Sequence, residues 1–320
     1  MARIVLGLGT SHSPQLNTPP DLWPLHVERD RANPDLDFET LRRERESWAR
    51  NELTPEKWRA RHEASQKAIA ALAETLAKVA PDALVIIGDD HHEWFHDDNM
   101  PALSIYWGAA VENFPPARET LQPSLQPAYW AYYGDGVSRK FPVASALARH
   151  LVEWLVSEEF DVAHSCRQRE GAPFGHAWGF VHQRLMGSQI IPIVPVMLNT
   201  YYPPNQPTPK RCYALGRALR RAIEAWDGAQ RIGVVGSGGL SHFVIDEELD
   251  QRVIRGLKER DAENLAALPI EKLNSGSSEI RNWIVAAGAL EHLDMHLIDY
   301  VPCYRSPAGT GCAMAFATWT

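Results

Sequence analysis

The stretch Ile4-Val5-Leu6-Gly7-Leu8-Gly9-Thr10-Ser11-His12-Ser13-Pro14 is an apolar run closed by a small polar turn and a histidine. It predicts a short buried strand over residues 3–9, with His12 just past its carboxyl end. The chain repeats the pattern twice. Ala83-Leu84-Val85-Ile86-Ile87 leads into Gly88-Asp89-Asp90-His91, and Ile232-Gly233-Val234-Val235 leads into Gly236-Ser237-Gly238-Gly239-Leu240-Ser241-His242. Open α/β sheets bind ligands at the carboxyl ends of their strands. Imidazole is the commonest metal ligand and the usual acid or base near neutral pH. Three strands each delivering a histidine to that edge therefore point to a metal-dependent active site.

Outward from these strands, helical and strand patterns alternate. Residues 38–79 read as helix with a break near Thr54-Pro55, where Thr54 suits an N-cap and Pro55 the first helical position. Ile69, Leu72 and Leu76 form its apolar stripe, and Pro81 ends it. Helices are also expected at about 143–157, 175–186, 208–226, 246–264 and 277–291, with Ser277 or Ser278 capping the last. Strands are expected at 103–107, 160–163 and 190–197, and as a strand–turn–strand unit from 297 to 319. Pro192 and Pro195 place the 190–197 strand at an edge or beside a bulge. The Pro- and Asp-rich stretch 15–37 and the Pro-rich stretch 114–128 read as loop. The expectation is a single-domain α/β fold, a central mixed sheet flanked by helices with the active site at strand carboxyl ends, plus a helical insertion at about 21–80 serving as a lid or an oligomer contact.

Composition narrows the function. The 320 residues are 45% hydrophobic and 22% charged, enough for a large core, and the net charge of −8 comes with no basic stripe of the kind nucleic acid requires. No run approaches the length of a membrane span, and the N-terminus lacks the pattern of a secretory signal. The four cysteines are scattered with no CxxC pair, which argues against a zinc finger or disulfide framework and for a reducing cytoplasm.

His12 and His91, at matched strand ends, are the first metal candidates, with Asp89 or Asp90 able to orient the His91 ring. Glu279 is the best-placed carboxylate, one turn from Trp283 on the inward side of its helix. Two histidines and one carboxylate on one face leave open positions on a metal, the arrangement of non-haem Fe(II) oxygen chemistry. His242 and His176 are the acid/base candidates, and the start of a helix favours a neutral imidazole at His176. Tyr201, at the end of another strand, is expected to line the pocket. Arg305 and Ser306, in the final turn, could hold a substrate carboxylate.

Ser11-His12-Ser13-Pro14, Asp90-His91, Gly175-His176, Gly236-Ser237-Gly238-Gly239-Leu240-Ser241-His242 and Glu279-Ile280-Arg281-Asn282-Trp283, in that order, resemble the motifs of class III extradiol ring-cleaving dioxygenases. The pattern is similar to protocatechuate 4,5-dioxygenase catalytic subunits and to single-chain relatives acting on 3-O-methylgallate. The resemblance implies Fe(II) held by His12, His91 and Glu279, His242 as general base, and His176 contacting a substrate hydroxyl. It also implies O2 and a catecholic acid of the 3-O-methylgallate, gallate or protocatechuate type as reactants. A related branch uses a histidine after a Gly-Ser-Gly turn as a third metal ligand, which gives His242 a second candidate role; Glu279 in its motif favours the base role. Two rival readings use the same histidines: a zinc hydrolase with an activated water, and a non-enzymatic binding protein on the same scaffold. A homodimer is the base-rate expectation for assembly.

Overall fold

The structure is a computed structural model that describes residues 1–320 apart from Asp35 and Ala229, so Asp35, within the stretch expected to be loop, lies outside the described residues. Its strands are β1 (Arg3–Thr10), β2 (Ala83–Asp89), β3 (Leu103–Tyr106), β4 (Ala110–Asn113), β5 (Arg139–Pro142), β6 (Ala163–Ser165), β7 (Ile193–Leu198), β8 (Arg231–Ser237), β9 (His242–Val244), β10 (Met295–Tyr304) and β11 (Thr310–Trp319). Among the described residues, nine of them form one mixed sheet in the order β10-β11-β1-β8-β2-β7-β3-β6, with β9 paired to β11; β4 and β5 form a separate hairpin. The central pairs β1/β8, β8/β2 and β2/β7 are parallel. The flanking pairs β1/β11, β10/β11 and β7/β3 are antiparallel.

The parallel centre is apolar on both faces, and alternation sorts its side chains. In β2, Ala83, Val85 and Ile87 join one core while Leu84 and Ile86 join the other. β1 departs from simple alternation. Ile4 belongs to the first core and Leu6 and Leu8 to the second, because the register with β8 shifts between Ile4 and Leu6. Such a bulge moves the following side chains to the opposite face.

The helices are α1 (Val27–Arg31), α2 (Phe38–Glu52), α3 (Pro55–Val79), α4 (Trp130–Tyr133), α5 (Ser145–Ser157), α6 (His176–Phe180), α7 (Pro209–Ala225), α8 (Glu247–Glu259), α9 (Ala262–Ala266) and α10 (Ile280–Leu290). Apolar residues of α5, α7, α8 and α10 cover the first face; α3 and α6 supply apolar residues to the second. Thr54 caps α3 by accepting the Lys57 N–H, and Thr208 caps α7 by accepting the Arg211 N–H. Ile69, Leu72 and Leu76 of α3 are buried, so the C-terminal half of the 21–80 block is a wall of the sandwich. Gly9 lets α10 approach: a Cβ there would stand 2.3 Å from the Trp283 ring. Among the described residues, no helix is long and apolar enough to cross a membrane.

Several expectations are corrected. The proline-containing strand β7 is interior, between β2 and β3. It tolerates Pro195 because its pairing with β3 runs only from Leu198 to Val196, and Pro195 falls beyond the last pair. The stretch 15–37 holds helical turns at Pro14–Asn17 and Pro20–His26 as well as α1. The expected 160–163 strand begins at Ala163. The helix expected at 246–264 divides into α8 and α9 at Arg260, which adopts a left-handed conformation. The hairpin β4/β5 was not expected, since its strands lie more than twenty residues apart in sequence and carry little alternation.

A candidate metal centre and its cavity

The carboxyl ends of β1, β2 and β8 open into a cavity of about 370 Å³. His12 follows β1, His91 follows β2, His242 follows the glycine turn after β8, and Glu279 ends a 3-10 turn leading into α10; all four line the cavity, as do His176 and Tyr201. The turn after β8 is held by α10: Glu279 accepts the Gly239 N–H at 2.6 Å, and Trp283 Nε1 donates to Gly238 O at 2.7 Å. Ser277 does not cap α10. Its hydroxyl accepts from the His242 N–H and donates to the His242 carbonyl, fixing that histidine's backbone.

The rings of His12, His176 and His242 are each oriented by a partner on the far nitrogen. Ser237 Oγ donates to Ala177 O at 3.0 Å, so it is free to accept from His12 Nδ1 at 2.9 Å. That leaves the His12 Nε2 lone pair facing the cluster, 3.5 Å from Glu279 Oε2 and 3.1 Å from His176 Nε2. His242 Nδ1 donates to Leu240 O at 2.8 Å, and its Nε2 stands 3.2 Å from Glu279 Oε1. His176 is gripped by Glu93, whose carboxylate accepts its backbone N–H at 2.7 Å and lies 2.9 Å from its Nδ1.

Asp89 was expected only to orient His91, yet it is central. Two overlapping groups of potential metal donors share it, one with His12 and His176 and one with His91 and Glu279. Its Oδ2 and His91 Nε2 lie 2.8 Å apart, but both are buried and neither makes a well-formed hydrogen bond. Asp89 and Glu279 are removed from solvent and Glu93 is largely so, and among the described residues none is paired with a lysine or arginine. Buried carboxylates are unfavourable unless a cation, whether an imidazolium or a bound metal, joins them. The donor set of nitrogen and carboxylate oxygen, with outer partners fixing the His12, His176 and His242 rings, fits a divalent transition metal.

Proton affinities follow from the same contacts. Burial alone would lower that of His176, but the Glu93 carboxylate, helped by Asp89 and Glu279, raises it to about 10. The helix-start argument for a neutral ring did not include Glu93, whose carboxylate lies 2.9 Å from His176 Nδ1. Burial likewise opposes charge on His242, but the Cys312 thiol and the Glu279 carboxylate beside it carry its value well above that of an ordinary histidine. Burial would raise Glu279, but His242 and His12 hold it well below the usual carboxylate range. A metal ion in the cluster would favour loss of the imidazole protons that face it.

The remaining expected site residues are placed differently. Tyr201 lines the cavity with its ring 4.9 Å from that of His91 and its hydroxyl 3.3 Å from Ser275 Oγ. Arg305 also lines it, but its guanidinium is committed to Asp30 and Gln15. Ser306 is fully buried, its hydroxyl engaged by Thr310 and by the Ala308 N–H of its own turn. Sequence reasoning missed Glu93, whose signal was its place in the acidic run after β2. It also missed Tyr132, which lines the cavity and donates to His12 O at 2.6 Å.

The chain is similar to a 2,3-dihydroxyphenylpropionate/2,3-dihydroxicinnamic acid 1,2-dioxygenase of Comamonas testosteroni, 29% identical over 181 residues, 56% of this chain and 49% of that protein. It is similar to a gallate dioxygenase of Pseudomonas putida, 29% identical over 160 residues, 46% of this chain and 45% of that protein. A Cupriavidus necator protein with the same name as the Comamonas one is 29% identical over 231 residues, 71% of this chain and 63% of its own length. The matched segments thus span between about half and under two thirds of these relatives. Over a longer reach, residues 52–310 match the family described as the catalytic LigB subunit of aromatic ring-opening dioxygenase, and the chain belongs to that family.

Proposed function

We propose that the protein is an Fe(II)-dependent extradiol dioxygenase that opens the ring of a catecholic acid with O2. The observation that carries this reading is the convergence of His12, His91, Glu279 and Asp89 at the carboxyl edge of the sheet, with two further histidines facing the same cavity. His12, His91 and Glu279 would hold the metal, with Asp89 beside the His91 ring. When bound, Fe(II) supplies an open face where a catecholate and O2 can meet, and it lowers the pKa of the diol.

The protein groups do the rest. His242, anchored through Nδ1 to Leu240 O, presents only Nε2 to the cavity and is the general base for a substrate hydroxyl. His176, with Glu93 behind Nδ1, presents Nε2 as a proton donor. Tyr201 and the other tyrosines lining the cavity provide a flat apolar wall for an aromatic ring. Substrate and cofactor chemistry of this kind requires reduced iron, consistent with a cytoplasmic protein whose four cysteines are free.

The test is oxygen uptake after anaerobic Fe(II) loading, with protocatechuate, gallate, 3-O-methylgallate and catechol, alongside the absorbance of ring-opened product. Uptake matched one-to-one by product is expected. Iron-loaded, folded protein that consumes no oxygen with any of the four would overturn the reading, and zinc-supported hydrolysis would replace it.

A further inference from the structure

Two arginines line the cavity, and they are held differently. Arg305 is 6% exposed and donates from Nε and Nη2 to Asp30 at 2.7 and 2.5 Å, and from Nη1 to Gln15 at 2.7 Å. Thr310 adds a further hydrogen bond to the same Asp30 carboxylate at 2.5 Å. The pair is saturated and neutral, so Arg305 has little left to offer an anion. Its evident effect is to fasten α1, which carries Asp30, to the turn before β11.

Arg29 is the neighbour of Asp30 on that helix. It reaches the cavity while keeping solvent contact, and among the described residues it makes no hydrogen bond or ion pair. Its guanidinium lies 5.3 Å from the centre of the Phe243 ring, which steadies it. One turn earlier, His26 also lines the cavity; it is 2% exposed, and its Nε2 has no hydrogen-bond partner. Burial first, then Arg305 and Arg29, push His26 down to about 2, so the ring is neutral and can donate without adding charge. An unpaired guanidinium and an orphaned buried imidazole on one short segment make an incomplete polar site. A carboxylate completes it, since it accepts a forked pair from arginine and a further bond from imidazole.

We propose that Arg29 and His26 form the anchor for the substrate's carboxylate, and that Arg305 acts through Asp30 as a positioning residue for Arg29. The proposal rests on the ring-opening reading for the identity of the substrate. It orients the catecholic acid with its diol at the histidine cluster and its acid group toward α1, and it makes Arg29 the determinant that separates acidic from neutral catechols.

The test compares protocatechuate with 4-methylcatechol, which differ in charge at one substituent, on the Fe(II)-loaded protein. The readout is the ratio of their kcat/KM values in the unsubstituted protein, Arg29→Gln and Arg29→Lys, with circular dichroism as the check on folding. The unsubstituted protein is expected to favour protocatechuate. Arg29→Gln should reduce the ratio by about 10- to 100-fold, the loss of a charge-assisted hydrogen-bonded contact, while Arg29→Lys keeps more of it. A ratio that Arg29→Gln leaves within twofold overturns the anchor even though the ring is opened. Should the unsubstituted protein open neither ring, the ring-opening reading is decided by the four-substrate oxygen-uptake test, and the anchor is judged by equilibrium dialysis with benzoate. Binding weakened at least tenfold in Arg29→Gln upholds it; equal or absent binding overturns it.

Discussion

Gly276→Ala isolates the placement of His242 without touching any functional group. A Cβ on Gly276 would stand 2.0 Å from His242 Cδ2 and 2.5 Å from its Nε2. Ordinary contact begins near 3.4 Å, so the imidazole must withdraw by roughly 1.4 Å. It cannot pivot freely, because Ser277 holds its backbone N–H and carbonyl and Leu240 O holds Nδ1. The displacement falls on Nε2, the atom that faces Glu279 and the cavity. A misplacement of about 1 Å at a reacting group can cost on the order of 10²-fold. Steady-state oxygen uptake should therefore show kcat reduced about 100-fold, with iron content near that of the unsubstituted protein because His12, His91 and Asp89 are not displaced. A kcat within threefold of the original, in folded and iron-loaded protein, would refute the base role of His242 or the rigidity claimed for it.

Other expectations follow from the same contacts. His12→Ala should abolish stoichiometric iron binding, measured by metal analysis after anaerobic loading, whereas His176→Ala should retain iron and lose about 10²–10⁴-fold in kcat. Asp30→Asn leaves the Arg305 charge buried without its partner and should lower the unfolding free energy by about 3–5 kcal/mol in urea titration; a change below about 1 kcal/mol would contradict the bracing role. His182 is buried between Phe141 and Phe174, and burial lowers it from 6.5 to about 3. The unfolded chain therefore binds the extra proton between those values, so this part of the stability is complete above pH 6.5 and declines as the pH falls toward 3. His182→Phe should flatten the decline by roughly 1.4 kcal/mol per pH unit in that window, measured by denaturation at a series of pH values.

Much of this architecture is legible locally. The strands ending at His12, His91 and His242 announce themselves as apolar runs closed by polar turns, and Thr54 and Thr208 mark helix starts by short-range chemistry. What the sequence conceals is set by partners far away in the chain. Pro195 looks like an edge residue until the place where β3 stops pairing is known. Glu93 reads as one acid in a polar run, and only the fold brings it to His176, 83 residues on. Arg305 looks available until Asp30, 275 residues away, is seen to neutralise it. Arg29 and His26 lie in a stretch whose proline and aspartate content reads as loop, and nothing local signals that it forms a cavity wall.

If this cluster opens an aromatic ring with O2, both oxygen atoms of O2 end in the product. Fe(II)-loaded protein would be given protocatechuate, gallate or 3-O-methylgallate under ¹⁸O2, and the product mass would be read before it exchanges with water. A ring-opened product carrying both labelled atoms is expected. A product with no label from O2, or label acquired only from H2¹⁸O, would contradict it and leave the histidine cluster as the site of a hydrolytic reaction.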